Sequence, residues 1–179
     1  MRLSLLFFIA FAGSIFAQGE GQSFCDGDTS KEYFTLQEFP KYIIWYNTLY
    51  TETKIHNTVI AGKEYNTYVQ EWVSGRKDTL YIRETKTATV QYYIEKEKEL
   101  TRYDSTMPVG KSWNGMDVKY TVLSKNKELK TPVCHYKNLM ELKAEYQSDT
   151  YIFYYLRGFG YVGASKDGDL ISFAIPKMP

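Results

Sequence analysis

Between Cys134 and Tyr146 apolar and polar residues alternate almost one for one. The even positions are Cys134, Tyr136, Asn138, Met140, Leu142, Ala144 and Tyr146; the odd ones are His135, Lys137, Leu139, Glu141, Lys143 and Glu145. Successive side chains of a strand point to opposite faces, so a period of two predicts a half-buried strand here. A helix is the alternative, because Leu139, Met140, Glu141 and Leu142 are each good helix formers. The same alternation runs through Val118, Tyr120 and Val122, through Val90, Tyr92 and Ile94, and through Leu80 and Ile82, while Ile171, Phe173 and Ile175 share one face.

Turn signals punctuate these runs at Ala61-Gly62-Lys63, Ser74-Gly75-Arg76, Asn114-Gly115, Asn126-Lys127 and Asp167-Gly168. Asn-Gly and Asp-Gly are the strongest, since the tight hairpin turn that suits twisted strands needs positive φ at both central residues. The spacing is too short for helical crossovers. The prediction is an all-β, predominantly antiparallel domain over residues 33–179, either a sandwich or a strongly curved, barrel-like sheet of about eight to ten strands. The run Glu95-Lys96-Glu97-Lys98-Glu99 reads as a solvated hairpin end.

The N-terminal segment follows another pattern. Arg2 supplies a positive start, Leu3 to Phe16 carry no charge, and Ala17 offers a small residue for cleavage. This is the pattern of a secretory signal peptide over residues 1–17, with an apolar core shorter than the roughly 20 residues of a bilayer-spanning helix. Residues 18–32, rich in Gly, Gln, Asp and Ser, read as a flexible arm. The expected location is secreted or periplasmic, with no transmembrane span after cleavage.

Composition narrows the function classes. Of 179 residues, 44% are hydrophobic and 17% aromatic, and 22 Lys+Arg stand against 21 Asp+Glu. Loss of Arg2 with the signal segment leaves 21 of each, a formal charge of zero, which excludes the clustered basic excess of a nucleic-acid binder. Two cysteines in an exported chain have one intramolecular pairing, Cys25 with Cys134. Against it stands a buried Cys134 thiol with Cys25 on a loose arm.

No motif for a P-loop, a zinc protease helix, a serine-hydrolase elbow or a redox CxxC is present, and no catalytic residue, metal ligand or cofactor is assigned. Gly158, Gly160 and Gly163 spell a literal GxGxxG. A strand and a hairpin turn follow it instead of a phosphate-binding helix, so it reads as a strand bulge or a close backbone approach. Cys134 and His135 are adjacent on a strand and so point apart, which rules out a Cys-His dyad.

The aromatic residues carry the functional signal. Tyr68 and Trp72 fall out of phase with Val69 and Val73, Tyr81 with Leu80 and Ile82, and Tyr93 with Tyr92. Two-sided aromatic strands need a second covering. Cross-strand ring pairs in a two-layer core would supply it, and so would a ligand held on the concave side of a curved sheet. Tyr68, Trp72, Tyr81 and Tyr93 are therefore the candidate ligand-binding residues. An outer-membrane barrel would need outward faces that stay apolar over about nine residues, and Thr85-Lys86-Thr87 and Lys137, Glu141 and Lys143 interrupt them.

The C-terminal run Tyr154-Tyr155-Leu156-Arg157-Gly158-Phe159-Gly160-Tyr161-Val162, with Gly110-Lys111-Ser112-Trp113 and Thr131-Pro132-Val133-Cys134 upstream, resembles elements of uncharacterised exported β-proteins of Bacteroidota. The resemblance covers about residues 100–175. It implies a periplasmic or secreted all-β domain and carries no activity, catalytic residue or cofactor with it. The resulting expectation is a non-enzymatic exported β-domain that binds a small molecule, glycan, lipid or protein through an aromatic face or cleft. The alternatives are a cell-envelope hydrolase whose carboxylates meet only in three dimensions, and an assembly subunit pairing through an edge strand.

Overall fold

The computed structural model describes residues 25–36 and 40–176. The expected signal peptide, residues 1–17, lies outside them. Twelve strands follow one another: β1 (Lys41–Trp45), β2 (Thr48–Ile60), β3 (Lys63–Trp72), β4 (Lys77–Glu84), β5 (Ala88–Tyr93), β6 (Lys98–Asp104), β7 (Ser112–Asn114), β8 (Lys119–Lys130), β9 (His135–Glu145), β10 (Thr150–Leu156), β11 (Gly160–Lys166) and β12 (Asp169–Pro176). They form a single antiparallel sheet in the order β6-β5-β4-β3-β2-β1-β12-β11-β10-β9-β8-β7, with β6 and β7 at its edges.

The all-β, antiparallel expectation holds, and of its two architectures the molecule takes the curved sheet. The count is twelve, not eight to ten. β1 and β7, five and three residues long, are too short to register as alternating segments. The segment 134–146 is a strand, so burial period wins over the helix propensity of its central residues.

Two of the turns behave as their residues demand, but Asn114-Gly115 does not: Asn114 ends β7, neither residue takes a positive φ, and a longer loop with Asp117 at 52° leads to β8. Ala61 and Gly62 take φ of 49° and 73°, and Asp167 and Gly168 take 53° and 92°, the left-handed pairs that close tight hairpins. Asn126-Lys127 is not a turn. It lies inside β8, where the register against β9 shifts repeatedly between Val122 and Leu129. Further bulges lie in β2, β6, β11 and β12, where Ile55, Arg102, Val162 and Ile171 are unopposed. Each adds one unopposed residue and increases local twist, which curls a long sheet instead of leaving it flat.

Directly opposed residues of paired strands share a face. Register therefore defines an inner row, Trp45–Ser172–Ala164–Phe153–Leu142–Val122, across β1, β12, β11, β10, β9 and β8. Ser172, Ala164 and Val122 are fully buried in it. Ile171, Phe173 and Ile175 do lie on one side of β12, but only half-buried, while the small Ser172 and Ala174 take the inner positions. Gly163 meets the neighbouring strand closely: a Cβ there would sit 2.9 Å from the Ser172 carbonyl oxygen and 3.0 Å from Leu129 Cδ2. The glycine run is thus a close backbone approach.

The segment before β1 seals one side of the sheet. Phe34 stacks on Tyr155 at 4.0 Å between ring centres and on Tyr103 at 4.8 Å, and Tyr33 is 2% exposed. The described part of the expected arm, residues 25–32, is tied to the body. The Asp28 N–H donates to the Arg157 carbonyl, the Gly158 N–H donates to the Glu32 carbonyl, and Cys25 is disulfide-bonded to Cys134 with 5.5 Å between Cα atoms. The bridge decides between the two cysteine readings. Spanning 109 residues, it constrains the unfolded chain by roughly 4–5 kcal/mol in the loop-entropy picture. It also points to an oxidising, extracytoplasmic compartment.

Candidate ligand cavity

Inside the curl of the sheet, large side chains border an open space. A cavity of about 230 Å³ lies there, walled by residues of β1 to β6, β8, β10 and β11 and by Phe34, Thr35 and Leu36. Arg102 of β6 and Tyr120 of β8 both reach it, although they stand near opposite edges of the sheet. The sheet has therefore curled until its edges face each other. Nine wall residues are aromatic, including Trp45, Tyr50, Tyr68, Phe153, Tyr155 and Tyr161. A second hollow of about 320 Å³ shares Phe34, Thr35 and Thr89 with the first, but Tyr103 is its only other ring.

A polar row crosses the aromatic wall. Lys41, Glu52 and Gln70 oppose one another on β1, β2 and β3, and all three line the cavity. Gln70 Nε2 donates to Glu52 Oε2 at 2.8 Å. Lys41 Nζ donates to the Phe159 carbonyl at 2.5 Å and lies 4.2 Å above the Phe159 ring. Burial drives the Lys41 ammonium down to about 8, against the pull of Glu52.

Arg102 enters by a different device. In the β5–β6 pair Val90 opposes Thr101 and Thr89 opposes Tyr103, so Arg102 is the extra residue of a bulge. A bulge re-aims the side chain that carries it, and here Arg102 joins the cavity wall while Tyr103 is buried beside Phe34. Burial works against the Arg102 charge; Tyr155, Tyr120, Tyr93 and Glu52 outweigh it. Burial also pushes the nearby hydroxyls up, Tyr120 to about 12 and Tyr155 higher, so both remain neutral hydroxyl donors at physiological pH.

The four sequence candidates are not assembled into one site. Tyr68 is buried and lines the cavity. Trp72 packs its ring 4.5 Å from Tyr50, donates through Nε1 to Asp78 Oδ2 at 2.8 Å, and is covered by Arg76 at 4.3 Å. Tyr81 opposes Thr67 and Tyr92, away from the cavity. Tyr93 does not line the wall but interacts electrostatically with Arg102 and Tyr120. Of the out-of-phase aromatics, Tyr68 borders the cavity, Trp72 belongs to a ring pair with Tyr50, and Tyr81 stands opposite Thr67 and Tyr92.

The wall charges are only faintly marked in the sequence. Arg102 is in phase with the apolar Leu100, a signal that was available. Lys41, Glu52 and Gln70 carry no such signal until the register of β1, β2 and β3 is known.

The charge run at the β5–β6 hairpin is more than solvated. Glu99 accepts hydrogen bonds from Tyr65, Arg83 and Lys63 at 2.6, 2.6 and 3.2 Å. Burial raises its carboxyl, and the bonds from Arg83, Tyr65 and Lys63 overcome that and hold it at about 2.

No protein-family model matches the chain, and no curated protein does. Among solved structures it is similar to a Bacteroides fragilis chain described as a "putative exported protein with YmcC-like fold", at 10% identity and a TM-score of 0.44, over 82% of this chain and 98% of that one. Among the described residues no helix is long and apolar enough to cross a membrane, and no group of three or more His, Cys, Asp or Glu is placed to hold a metal ion.

Proposed function

We propose that this is an exported binding protein, secreted or periplasmic after cleavage following Ala17, that holds a small, partly apolar molecule in the cavity of its curled sheet. The carrying observation is the wall itself, in which nine aromatic side chains surround a short row of polar groups. Apolar surface with a few converging polar groups is the usual composition of a small-molecule site, and the volume suits a single ring or a short chain. Glu52 is the one carboxylate among the described wall residues, so the carboxylate pair that hydrolysis would use does not meet there. Trp45 in the wall makes binding visible: saturable change of tryptophan fluorescence with n-octanol or octanoate is expected. Folded protein that responds to neither would overturn the proposal.

A further inference from the structure

Three charged side chains face the cavity, and their partners differ. Glu52 is engaged by Gln70 at 2.8 Å, and Lys41 by the Phe159 carbonyl at 2.5 Å. Arg102 has neither a hydrogen bond nor an ion pair with any described residue; its neighbours Tyr155, Tyr120 and Glu52 act on it through space. A guanidinium cannot shed its proton and carries five donors in a fixed fork. A bulge turns this half-buried one toward the aromatic cavity wall, where its donors are met by no described side chain or carbonyl.

We propose that Arg102 is the anchor for the headgroup of the bound molecule and that the ligand is a monocarboxylate with an apolar body. This rests on the cavity being a ligand site. The planar fork of arginine matches a carboxylate with two parallel hydrogen bonds, and such charge-assisted pairs are about twice as strong as neutral ones. Tyr155 stands beside Arg102 with a hydroxyl that remains a donor at neutral pH, and Tyr120, whose hydroxyl donates to Tyr146, flanks it. The apolar body would lie against Phe153 and Trp45. Charge count favours a single negative charge: Arg102 and Lys41 against Glu52 leave the wall at plus one. A dianionic phosphate would put a surplus negative charge opposite Glu52.

Titration of the full folded chain with octanoate, n-octanol and octyl phosphate, followed by tryptophan fluorescence and calorimetry, tests this. Octanoate is expected to bind at least tenfold more tightly than n-octanol and more tightly than octyl phosphate. Arg102→Gln should abolish the preference for octanoate while leaving n-octanol binding in place, and Arg102→Lys, which keeps the charge and loses the fork, should retain part of it. Equal binding of octanoate and n-octanol overturns the anchor and leaves the cavity reading standing. Tighter binding of octyl phosphate overturns the carboxylate assignment, and no binding of any probe overturns both. If Arg102→Gln fails to fold by circular dichroism, the comparison between Arg102→Lys and the parent decides, and unchanged preference in Arg102→Lys overturns the bidentate contact.

Discussion

The indole N–H of Trp113 on β7 donates to the carbonyl oxygen of Thr101 on β6 at 3.1 Å, joining the two edges of the sheet where no backbone ladder does. Trp113 also packs 5.4 Å from Tyr120 of the cavity wall. Trp113→Phe keeps most of the ring and removes the donor, at a cost of about 1 kcal/mol. Amide hydrogen exchange should accelerate in β6 and β7 and stay unchanged in β1 and β12; uniform acceleration would show that the seam is not a local closure.

Lys41 gives stability an unusual pH dependence. Its ammonium titrates near 8 in the folded protein and at 10.5 when exposed. Between those values the unfolded chain binds more protons, so stability rises with pH there, by at most roughly 3 kcal/mol. Above about 10 the rise reverses, because burial keeps Tyr50, Tyr120 and Tyr155 protonated while the unfolded chain releases those protons. Urea titrations at pH 7.5 and 9.5 should show the rise, and Lys41→Met should remove it.

Glu99 sets the acid limit on the opposite side of the sheet. Its carboxyl lies at about 2 when folded and 4.5 when free, so its contribution is complete above 4.5 and is lost as pH falls toward 2. With the side chain 23% exposed, that contribution is about 1–2 kcal/mol. Glu99→Gln should lower the melting temperature at pH 7 and flatten the change between pH 5 and 3. An equal acid response in parent and variant would assign it to other carboxylates.

Reduction of the Cys25–Cys134 bridge should cost about 2–5 kcal/mol, since the closed loop is long. The double variant Cys25→Ala, Cys134→Ala should match the reduced protein in chemical denaturation. It should also lose exchange protection at the Asp28 and Gly158 amides, which the bridged segment holds.

Gly163→Val would drive a branched side chain against the Ser172 backbone and Leu129. Displacing backbone in a packed sheet costs about 1–3 kcal/mol, and the loss should be read in the unfolding midpoint. A tolerated valine would show that β11 and β12 can separate there.

What the sequence made legible is the local grammar. Period-two patterning found β8, β9 and β12, and the left-handed turn pairs at Ala61-Gly62 and Asp167-Gly168 were readable from residue type. Asn126-Lys127 misled because the same polar residues serve a bulge inside a long strand. The site was less accessible. Tyr68 was singled out by phase alone, but Lys41, Glu52 and Gln70 converge only through the non-local register of three strands, and Arg102 through a bulge. Such features depend on partners distant in sequence, which no local pattern encodes.

The pairing of β1 with β12 has a consequence for how the chain can be cut. Lys41 opposes Pro176 at the centre of the sheet, and the two edges meet at the β6–β7 connection, midway along the sequence. A circular permutant with Pro176 joined by a linker to Cys25, so that the segment sealing the sheet and its disulfide are kept, and with new ends between Thr106 and Lys111, would preserve every strand pair. The two six-stranded halves, β1 to β6 and β7 to β12, would then still meet along the β1–β12 ladder and across the Trp113–Thr101 seam, so the cavity between them does not depend on chain continuity at the β6–β7 connection.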